Sequence, residues 1–351
     1  MNLREIAKAL GVSPSSVSIV RKGLPGVSPG TRRRIAQLLR ENGYAYREYA
    51  CTQEDAPPGR RNAFIRLVKF RRSALLVDQN EGFVDAIIDS ADTHARTHGY
   101  ALTLSTVSAE EYPSFVRTLN TPGCAGLLVI ATEMSRAEIE ALTCVSLPIV
   151  IIDSDYPALP FSTVTMHNRD IAFEAVRHLF VQGHAQVGYL HSSIPTGNFY
   201  ARSLGYREAL LVHGREYDAA CCFALRPSLE GAREDMCALL HASHALPTAF
   251  FADNDVIAVG ALQALTAHGY AIPEDISIIG VDNTPLASLS IPPLSSMQIS
   301  RFTLGQHAFR TLLGQIHHPT QEPTHIRISA RLVQRRTICA PCASASSCCK
   351  E

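Results

Sequence analysis

Hydrophobic and polar positions at the start of the chain follow the spacing of a short helix. Asn2 and Glu5 stand three residues apart, as in a capping box, and Ile6 and Leu10 share one face of the helix that they open. Gly11 follows at once and predicts a tight turn, because glycine tolerates the left-handed backbone that ends a helix. The pattern therefore predicts a first helix that ends at Leu10 and carries one apolar stripe.

Two further helices begin with one repeated signal. Ser13-Pro14 supplies an N-cap and a proline at the first helical position, and Ser28-Pro29 does the same. The second helix is predicted to end at about Arg21 and the third at about Asn42. Three short helices with a tight glycine turn between the first two are typical of a helix-turn-helix module. In such modules the second helix presents its N-terminal residues to base edges in the major groove of DNA.

From about Asn62 the pattern changes to short apolar runs that alternate with helical stretches. Strands are predicted at Ala63–Val68, Ala101–Leu104, Gly126–Ile130, Ile149–Asp153, Val187–Leu190, Ala249–Ala252 and Ile276–Val281. Helices are predicted at Phe83–His98, Ile171–Gln182, Gly205–Val212, Asp255–His268 and Leu304–Ile316. This alternation indicates βαβ units and parallel sheets. The fold class is therefore an all-α headpiece followed by an α/β domain.

Charge separates these two parts, although the whole chain of 351 residues has a formal net charge of zero. Up to Arg47 there are nine basic residues against two acidic ones, which gives +7, so the remainder carries −7. A basic headpiece on an acidic body suits a protein that binds the phosphate backbone, because neutralised phosphates release their counterions. The alternative reading of the charge alone is an ordinary solvated basic face.

Several classes of protein are disfavoured by the sequence. No basic stretch followed by an apolar run opens the chain, and no apolar run approaches eighteen residues, so we predict neither a signal peptide nor a membrane span. The ten cysteines are scattered or gathered at the C-terminus, unlike a disulfide scaffold, which favours a cytoplasmic location. The motifs G-x-S-x-G, G-x-x-x-x-G-K-[ST] and G-x-G-x-x-G are absent, and neither an enzyme nor a cofactor is predicted.

The N-terminal residues resemble the headpiece of the LacI-type (lactose-repressor) family. The resemblance is carried by LREIAKALGVSPSSVS (Leu3–Ser18), by GVSPGTR (Gly26–Arg32) and by Gly43-Tyr44. It implies that Pro14, Ser15 and Ile19 read bases, and that phosphates are contacted by Ser13, Ser16, Ser18, Ser28 and Thr31. Arg21 and Lys22 are further DNA-binding candidates, further round the helix.

Two positions depart from the family pattern. The family nearly always has arginine where this chain has Ile19, and an arginine there would read guanine through two hydrogen bonds. Isoleucine offers only apolar contact, so the preferred operator should differ from the family's common one. The segment 46–61 lacks the leucine with which the family's hinge helix enters the minor groove, and we interpret it as an irregular linker.

The rest of the chain resembles the family's effector domain, which has the two-lobed fold of periplasmic sugar-binding proteins. Segments that carry this resemblance are Gly183-His184, Ala201–Tyr206, Asn254–Leu262, Ile272–Asn283 and Pro292–Gln298. The predicted domains are the headpiece 1–45, the linker 46–61, an effector-binding and dimerisation domain 62–338, and a cysteine-rich, disordered tail 339–351. Lobe 1 is predicted at about 62–160 and 292–322, and lobe 2 at about 161–291 and 323–338.

Ligands of open α/β sheets bind beyond the carboxyl ends of the strands, and that rule selects the candidate effector contacts. They are Asn80, Phe83, Asp153, Phe199, Arg202, Asp255, Asp282 and Gln298. Carboxylates, amides and arginine bind a polyol through paired hydrogen bonds, while an aromatic ring covers the sugar face. Each candidate has a structural alternative: a surface ion pair for Arg202, a helix N-cap for Asp255, a hinge or dimer role for Asp153 and Gln298, and a core position for the aromatic rings.

The resemblance also implies the partners. They are double-stranded DNA with a pseudo-palindromic operator, a small carbohydrate effector, and a second copy of the chain, because two headpieces read two half-sites. Repression is the family's usual mode of control. Two rival hypotheses remain open: a sugar-binding protein of the same fold, and a regulator that senses redox state or metal through Cys339, Cys342, Cys348 and Cys349. The spacing of those thiols is not that of a zinc ribbon, so no metal site is predicted.

Overall fold

A computed structural model describes residues 1–24, 26–42, 44, 63–73, 76, 81–156, 158–242, 245–320 and 322–341. The predicted linker 46–61, the effector candidate Asn80 and the thiols of Cys342, Cys348 and Cys349 lie outside the described residues. The described residues fall into two compact units. The first contains the N-terminal helices, and the second contains nearly all of the alternating strands and helices. None of the described helices is long and apolar enough to cross a membrane.

The N-terminal unit contains three helices, α1 (Leu3–Leu10), α2 (Pro14–Lys22) and α3 (Pro29–Glu41). Each begins at the cap that the sequence predicts, with Asn2, Ser13 and Ser28 accepting hydrogen bonds from backbone N–H groups of the first turn. Gly11 and Gly23 end α1 and α2 with φ of 64° and 67°, in the left-handed region where glycine carries no penalty. A small core holds the helices together and contains Ile6, Ala7, Val17, Val20, Ile35, Ala36 and Leu39.

The second unit is built from short strands and longer helices. Its strands are β1 (Phe64–Arg71), β2 (Ala101–Ser108), β3 (Cys124–Ile130), β4 (Ile149–Ile152), β5 (Ser162–Met166), β6 (Gly188–Ser192), β7 (Cys222–Leu225), β8 (Ala249–Ala252), β9 (Ser277–Asp282), β10 (Ser295–Ile299), β11 (His325–Ile328) and β12 (Ala330–Val333). Its helices are α4 (Glu81–Thr97), α5 (Tyr112–Val116), α6 (Arg136–Ala141), α7 (Asn168–Val181), α8 (Gly197–Val212), α9 (Leu229–His241), α10 (Asp255–Ala267), α11 (Pro285–Leu289) and α12 (Arg301–His317). Short 3-10 helices cover Leu142–Cys144 and Ala219–Cys221.

The strands form two sheets, and each sheet is the centre of one lobe. Lobe 1 has the strand order β11-β5-β4-β3-β1-β2, and lobe 2 has the order β12-β10-β9-β8-β6-β7. The central pairs are parallel, as in β3 with β4 and β8 with β9, whereas β12 runs antiparallel to β10. Both sheets are therefore α/β sheets of the type that the alternation of elements predicts.

The chain changes lobes at positions that differ from the predicted boundaries. The structure places β5 in lobe 1, beside β4, and β10 in lobe 2, beside β9. It also places β11 in lobe 1, because His325–Ile328 pairs with β5. The prediction was wrong for these three segments because their strands are short and rich in serine, threonine or charged residues, so their sequences lack a distinct apolar run.

One glycine brings two helices of lobe 2 unusually close together. A Cβ at Gly205 of α8 would lie 1.9 Å from the carbonyl oxygen of Arg169 in α7, so only glycine fits at this crossing. The close approach places Asn168, at the start of α7, beside Asn198 and Arg202 of α8. This crossing therefore positions the polar side chains described below.

The prediction of a disordered tail from residue 339 was wrong at its first residue. The backbone N–H of Cys339 donates to Ser277 Oγ at 3.1 Å, and its carbonyl oxygen is 3.0 Å from Nε2 of His184. These bonds attach Cys339 to lobe 2. Among the described residues no group of three or more His, Cys, Asp or Glu side chains is arranged to hold a metal ion.

Candidate functional site

Helix α2 has one buried face and one face available to a partner. Val17 and Val20 are fully buried in the core of the N-terminal unit. At about 100° per residue, Ser15, Ser18 and Ile19 lie on the opposite face of the helix. Lys22 completes this row, which we call the recognition face: Ser15, Ser18, Ile19 and Lys22.

The remaining predicted DNA contacts lie around the recognition face. Ser13 and Pro14 are exposed at the start of α2, and Ser28 is exposed at the start of α3. Ser13 Oγ lies 2.7 Å from Ser15 Oγ and 2.9 Å from Ser16 Oγ, so its cap also orders two of the predicted contacts. Thr31 accepts a hydrogen bond from Ser28 Oγ at 2.9 Å.

The two basic candidates at the end of α2 are not equivalent. Lys22 is exposed and stands three residues from Ile19, on the same face of the helix. Arg21 stands about 200° round the helix from Ile19, near the buried side, and is only partly exposed. Lys22 is therefore the cation that accompanies Ile19 on the recognition face.

A cavity lies between the two lobes at the carboxyl ends of several strands. Its volume is about 40 Å³, and we call it the inner cavity. Its lining is Leu76, Phe83, Val84, Thr132, Asp153, Met166, Thr196, Asn198, Phe199, Arg202, Asn254 and Asp282. Both lobes contribute, since Thr132 and Asp153 follow β3 and β4 while Asn254 and Asp282 follow or end β8 and β9.

Asp153 is the acidic residue that lobe 1 supplies to the inner cavity. Its carboxylate accepts hydrogen bonds from Thr132 Oγ1 at 2.6 Å and from Nδ2 of Asn198, in lobe 2, at 3.0 Å. Burial raises the pKa of Asp153 to about 6, against the lowering effects of these hydrogen bonds and of Arg202. The residue therefore joins the two lobes through Asn198 and carries a carboxylate that is costly to keep charged without a partner.

Arg202 is the buried cation of the site, with 2% of its side chain exposed. Its Nε donates to Asn168 Oδ1 at 2.9 Å, and one Nη donates to the backbone carbonyl of Asp253. The other Nη lies 3.6 Å from Asp282 Oδ1, and the guanidinium carbon lies 5.6 Å from the centre of the Phe199 ring. Fixed on several sides, Arg202 presents a planar donor surface to the cavity.

Two of the aspartates that line the cavity have an unfavourable backbone conformation, which the surrounding structure must stabilise. Asp153 has φ of 61° and Asp282 has φ of 100°, both in the left-handed region that non-glycine residues rarely adopt. Such conformations cost about 1–3 kcal/mol each and gather at ligand sites. The arrangement indicates that both side chains are aimed at the cavity at the expense of local stability.

Arg301 makes a second link between the lobes at the edge of the cavity. It begins α12, which packs on the strands of lobe 1. Its guanidinium donates to the carbonyl of Gly82 in lobe 1 at 3.2 Å, and to the carbonyls of Asp282 and Asn283 in lobe 2 at 3.0 and 2.7 Å. The same group lies 5.9 Å from the ring centre of Phe83. The relative position of the lobes therefore affects a charged side chain beside the site.

Five of the predicted effector residues line the inner cavity together: Phe83, Asp153, Phe199, Arg202 and Asp282. Asp255 does not line it, because its carboxylate is used inside lobe 2, where it accepts from the backbone N–H of Thr284 at 2.7 Å and from Ser296 Oγ at 2.5 Å. Gln298 does not line it either, and its Oε1 accepts from Arg331 Nε on the paired strand β12 at 3.2 Å. Both residues serve the fold of lobe 2.

Several cavity residues were not singled out from the sequence. Asn198 lies in the first turn of α8, just after the loop that follows β6, and Asn254 caps α10 through Ile257 N–H in the loop that follows β8. The signal for Asn254 was its place two residues after the end of the buried strand β8 and one residue before the predicted Asp255. Thr132 gave no separate signal, since a threonine after a buried strand is a common feature of α/β sheets.

The sequence is similar to known proteins over most of its length. Residues 176–338 match the family described as "Periplasmic binding protein-like domain". The chain is 29% identical over 312 residues to the HTH-type transcriptional regulator DegA of Bacillus subtilis, covering 88% of this chain and 89% of DegA. It is 27% identical over 350 residues to the HTH-type transcriptional repressor PurR of Haemophilus influenzae, covering 96% of this chain and 98% of that repressor.

Solved structures share the fold. The lac repressor dimer bound to operator and the anti-inducer ONPF has a TM-score of 0.70 at 22% identity, over 97% of this chain and 99% of that one. The transcriptional regulator CelR in complex with cellobiose has a TM-score of 0.71 at 23% identity, over 96% of this chain and all of the other. The chain is a transcriptional regulator related to DegA and PurR, and it has the fold of the lac repressor. Its function is to bind DNA under the control of a ligand.

A LacI-type regulator accounts for both parts of the molecule. The recognition face belongs to the helix-turn-helix headpiece, and the inner cavity lies in the domain that these regulators use for ligands. Regulators of this family are not enzymes, which agrees with the lack of catalytic motifs in the sequence. The rival hypotheses of a transport component and of a thiol-based sensor are not favoured.

Proposed function

We propose that this LacI-type regulator is a repressor that acts in the cytoplasm as a homodimer on a pseudo-palindromic operator, and that a sugar or sugar derivative in the inner cavity sets its affinity for DNA. One observation carries the choice of effector class: acidic, amide and guanidinium groups from both lobes converge on one cavity beside two phenylalanine rings. Vicinal hydroxyls bind such paired polar groups, and a pyranose face packs on aromatic rings.

The proposed site residues divide by the lobe that holds them. Asp153 and Phe83 belong to lobe 1, whereas Phe199, Arg202 and Asp282 belong to lobe 2. A ligand that touches both groups binds more tightly at one separation of the lobes than at others. It thereby shifts the population of that arrangement, which is the physical basis of control. Arg301 supports this proposal because its hydrogen bonds also depend on the separation of the lobes.

The operator of this repressor is proposed to differ from the one common among LacI-type proteins. Ile19 lies in the middle of the recognition face, where it offers a thymine methyl group an apolar contact. Ser13, Pro14, Ser15, Ser16 and Ser18, with Ser28 and Thr31, are the proposed contacts around it, and Lys22 adds a phosphate contact. Arg21 is proposed only as a backbone contact, because it lies away from the face.

Selection of bound duplexes from a random DNA pool tests this proposal. We expect a pseudo-palindromic site for the purified full chain, and we expect Ile19→Arg to select guanine at the position that faces residue 19. A bidentate arginine contact discriminates between bases by about 1–3 kcal/mol, which corresponds to about 5- to 150-fold. Enrichment of the same site by both proteins would show that residue 19 does not read a base.

A matched control separates base reading from added charge. Gln37 is exposed on α3 and its side chain donates to Glu41, so Gln37→Arg adds one positive charge away from the recognition face. We expect this variant to raise affinity for all duplexes alike and to select the wild-type sequence. If the wild-type protein enriches no sequence and shows only salt-sensitive binding, specific readout of bases by the headpiece is contradicted.

A further inference from the structure

A second, larger cavity adjoins the inner cavity between the lobes. Its volume is about 320 Å³, and it shares Leu76, Thr132 and Thr196 with the inner cavity. We call it the outer cavity. None of the proposed contacts Asp153, Arg202 and Asp282 is among its lining, so it is a separate space that an occupant of the inner cavity can extend into.

Both lobes form the walls of the outer cavity. Lobe 1 contributes Arg72, Ser73 and the segment Thr132–Arg136, together with Tyr156. Lobe 2 contributes Ile194–Gly197, which leads into α8. A group bound here touches both lobes, as a group in the inner cavity does, and therefore also contributes to their relative position.

The charges around the outer cavity balance. Arg72 is paired with Glu138, and the buried carboxylate of Glu133 accepts from the backbone N–H of Ser73 at 2.8 Å. Arg136 is exposed at the start of α6. Glu138 is not part of the lining, but it neutralises Arg72, so with it two guanidinium groups stand against two carboxylates and no net charge is left to attract a phosphate or a carboxylate.

The lining combines apolar and hydrogen-bonding surface in a way that suits a sugar ring. Leu76, Met134, Ile194 and Pro195 form apolar wall. Tyr156 is half-buried and presents an aromatic ring with a hydroxyl group, and burial raises the pKa of that hydroxyl, so it stays a neutral hydrogen-bond donor. Neutral polar ligands with an apolar face are bound by such mixed surfaces.

We propose that the outer cavity is a second sugar subsite, and that the effector is a neutral glycoside of at least two units. One unit occupies the inner cavity and the next occupies the outer cavity. This inference rests on the proposed function of the inner cavity as the effector site. It adds the length and charge of the effector, which the inner cavity alone does not define.

Gly197 offers a way to fill the outer cavity selectively. It lines the outer cavity but not the inner one, and a Cβ built there would meet no heavy atom within 4 Å. It stands at the first helical position of α8 with Thr196 as its cap, so a larger residue does not strain the helix. Gly197→Leu therefore adds bulk to the outer cavity, and Gly197→Ala is its matched control.

The experiment measures binding to the full chain by calorimetry with sugars that differ only in length. The probes are glucose with cellobiose and maltose, galactose with lactose, and glucose 6-phosphate and cellobiose 6-phosphate. For at least one pair we expect the disaccharide to bind about tenfold more tightly than its monosaccharide. We expect Gly197→Leu to remove that advantage while it leaves the monosaccharide within about twofold, and Gly197→Ala to keep most of it.

A second variant keeps the test valid if Gly197→Leu fails to fold. Arg136→Ala removes an exposed side chain of the outer cavity, and we expect it to weaken binding of the disaccharide alone, by about threefold to tenfold.

Equal binding of monosaccharide and disaccharide, unchanged by either variant, would overturn the second subsite and leave the proposed function standing. Preference for a phosphorylated sugar would overturn the neutral effector. Failure of every probe to bind would overturn the proposed sugar effector, and the subsite with it.

Discussion

Replacing Arg202 with methionine is expected to abolish effector binding and to lower the free energy of unfolding of the α/β domain. The guanidinium donates to Asn168 and to the carbonyl of Asp253 and faces Asp282, so its loss leaves several buried acceptors without their donor. Breaking a buried pair by removing one partner costs about 3–5 kcal/mol. Thermal unfolding and calorimetry with the sugar that the wild-type protein binds measure the two effects.

Two companion variants separate the loss of the ligand contact from a general loss of stability. Arg202→Lys keeps the positive charge but cannot reproduce the planar set of donors, so we expect a smaller loss of stability and still a loss of effector affinity of about tenfold or more. Arg207 lies on the same helix with its guanidinium over the Tyr217 ring, and it does not line the cavity. Arg207→Met is therefore the matched control for the loss of an arginine from α8. Normal sugar binding by a folded Arg202→Met protein would show that Arg202 is a structural residue only.

Neutralising Asp255 is expected to reduce the dependence of stability on pH. Burial and the nearby charge of Asp282 raise the pKa of this carboxyl to about 7, against the lowering effect of its hydrogen bonds to Ser296 and Thr284. The folded state therefore holds a proton that the unfolded state has already lost between about pH 4 and pH 7. Stability from this group is present at low pH and is lost as the pH rises through about 7.

Asp255→Asn removes that proton linkage while it keeps an acceptor for Thr284. At about 1.4 kcal/mol per pKa unit, the wild-type protein is expected to lose on the order of 4 kcal/mol at most, relative to the variant, between about pH 4 and pH 8. Urea unfolding at several pH values gives the difference, and Asp85→Asn, an exposed aspartate on α4, is the control. Parallel pH profiles for wild type and Asp255→Asn would contradict a raised pKa. Asp153 and Asp253, whose pKa values burial raises to about 6, leave a residual slope in both proteins.

The ends of the N-terminal helices were predictable almost to the residue because they are determined by residues close by in sequence. Asn2, Ser13 and Ser28 cap the helices through bonds to the next turn, and Gly11 ends α1, so each signal needs no distant partner. The seven predicted strands also correspond to strands of the structure, since each is rich in apolar residues.

The strands that escaped prediction depend on neighbours far away in sequence. Ser162–Met166 is fully buried although it is rich in serine and threonine, because β4 and β11 pair with its two edges and α12 packs on the sheet at this strand. His325–Ile328 is held by pairing with β5 and carries exposed charged positions. The pairing of these strands cannot be inferred from their own sequences, and for this reason the boundaries of the lobes were predicted incorrectly.

The effector site was predictable as a region but not at each residue. The strand-end rule located the loops that meet at the inner cavity, because it depends only on the direction of parallel strands. The rule could not decide between Asn254 and Asp255, because these neighbouring residues have different roles. Asn254 lines the cavity, whereas the carboxylate of Asp255 accepts hydrogen bonds from Ser296 of β10 and from Thr284. That difference is set by backbone geometry at one helix start.

The positions of β11 and β12 near the end of the chain affect how the two lobes fold during synthesis. β11 completes one edge of lobe 1 and β12 completes one edge of lobe 2, and only Ser329 separates them. In a nascent chain the sheet of lobe 1 is incomplete until Ile328 has left the ribosome, and the sheet of lobe 2 is incomplete until Val333 has, so both lobes are expected to fold late and almost together. A premature stop at His325 would thus remove an edge strand from each sheet at once, and the truncated chain is expected to lose the stability of both lobes rather than retain one working lobe.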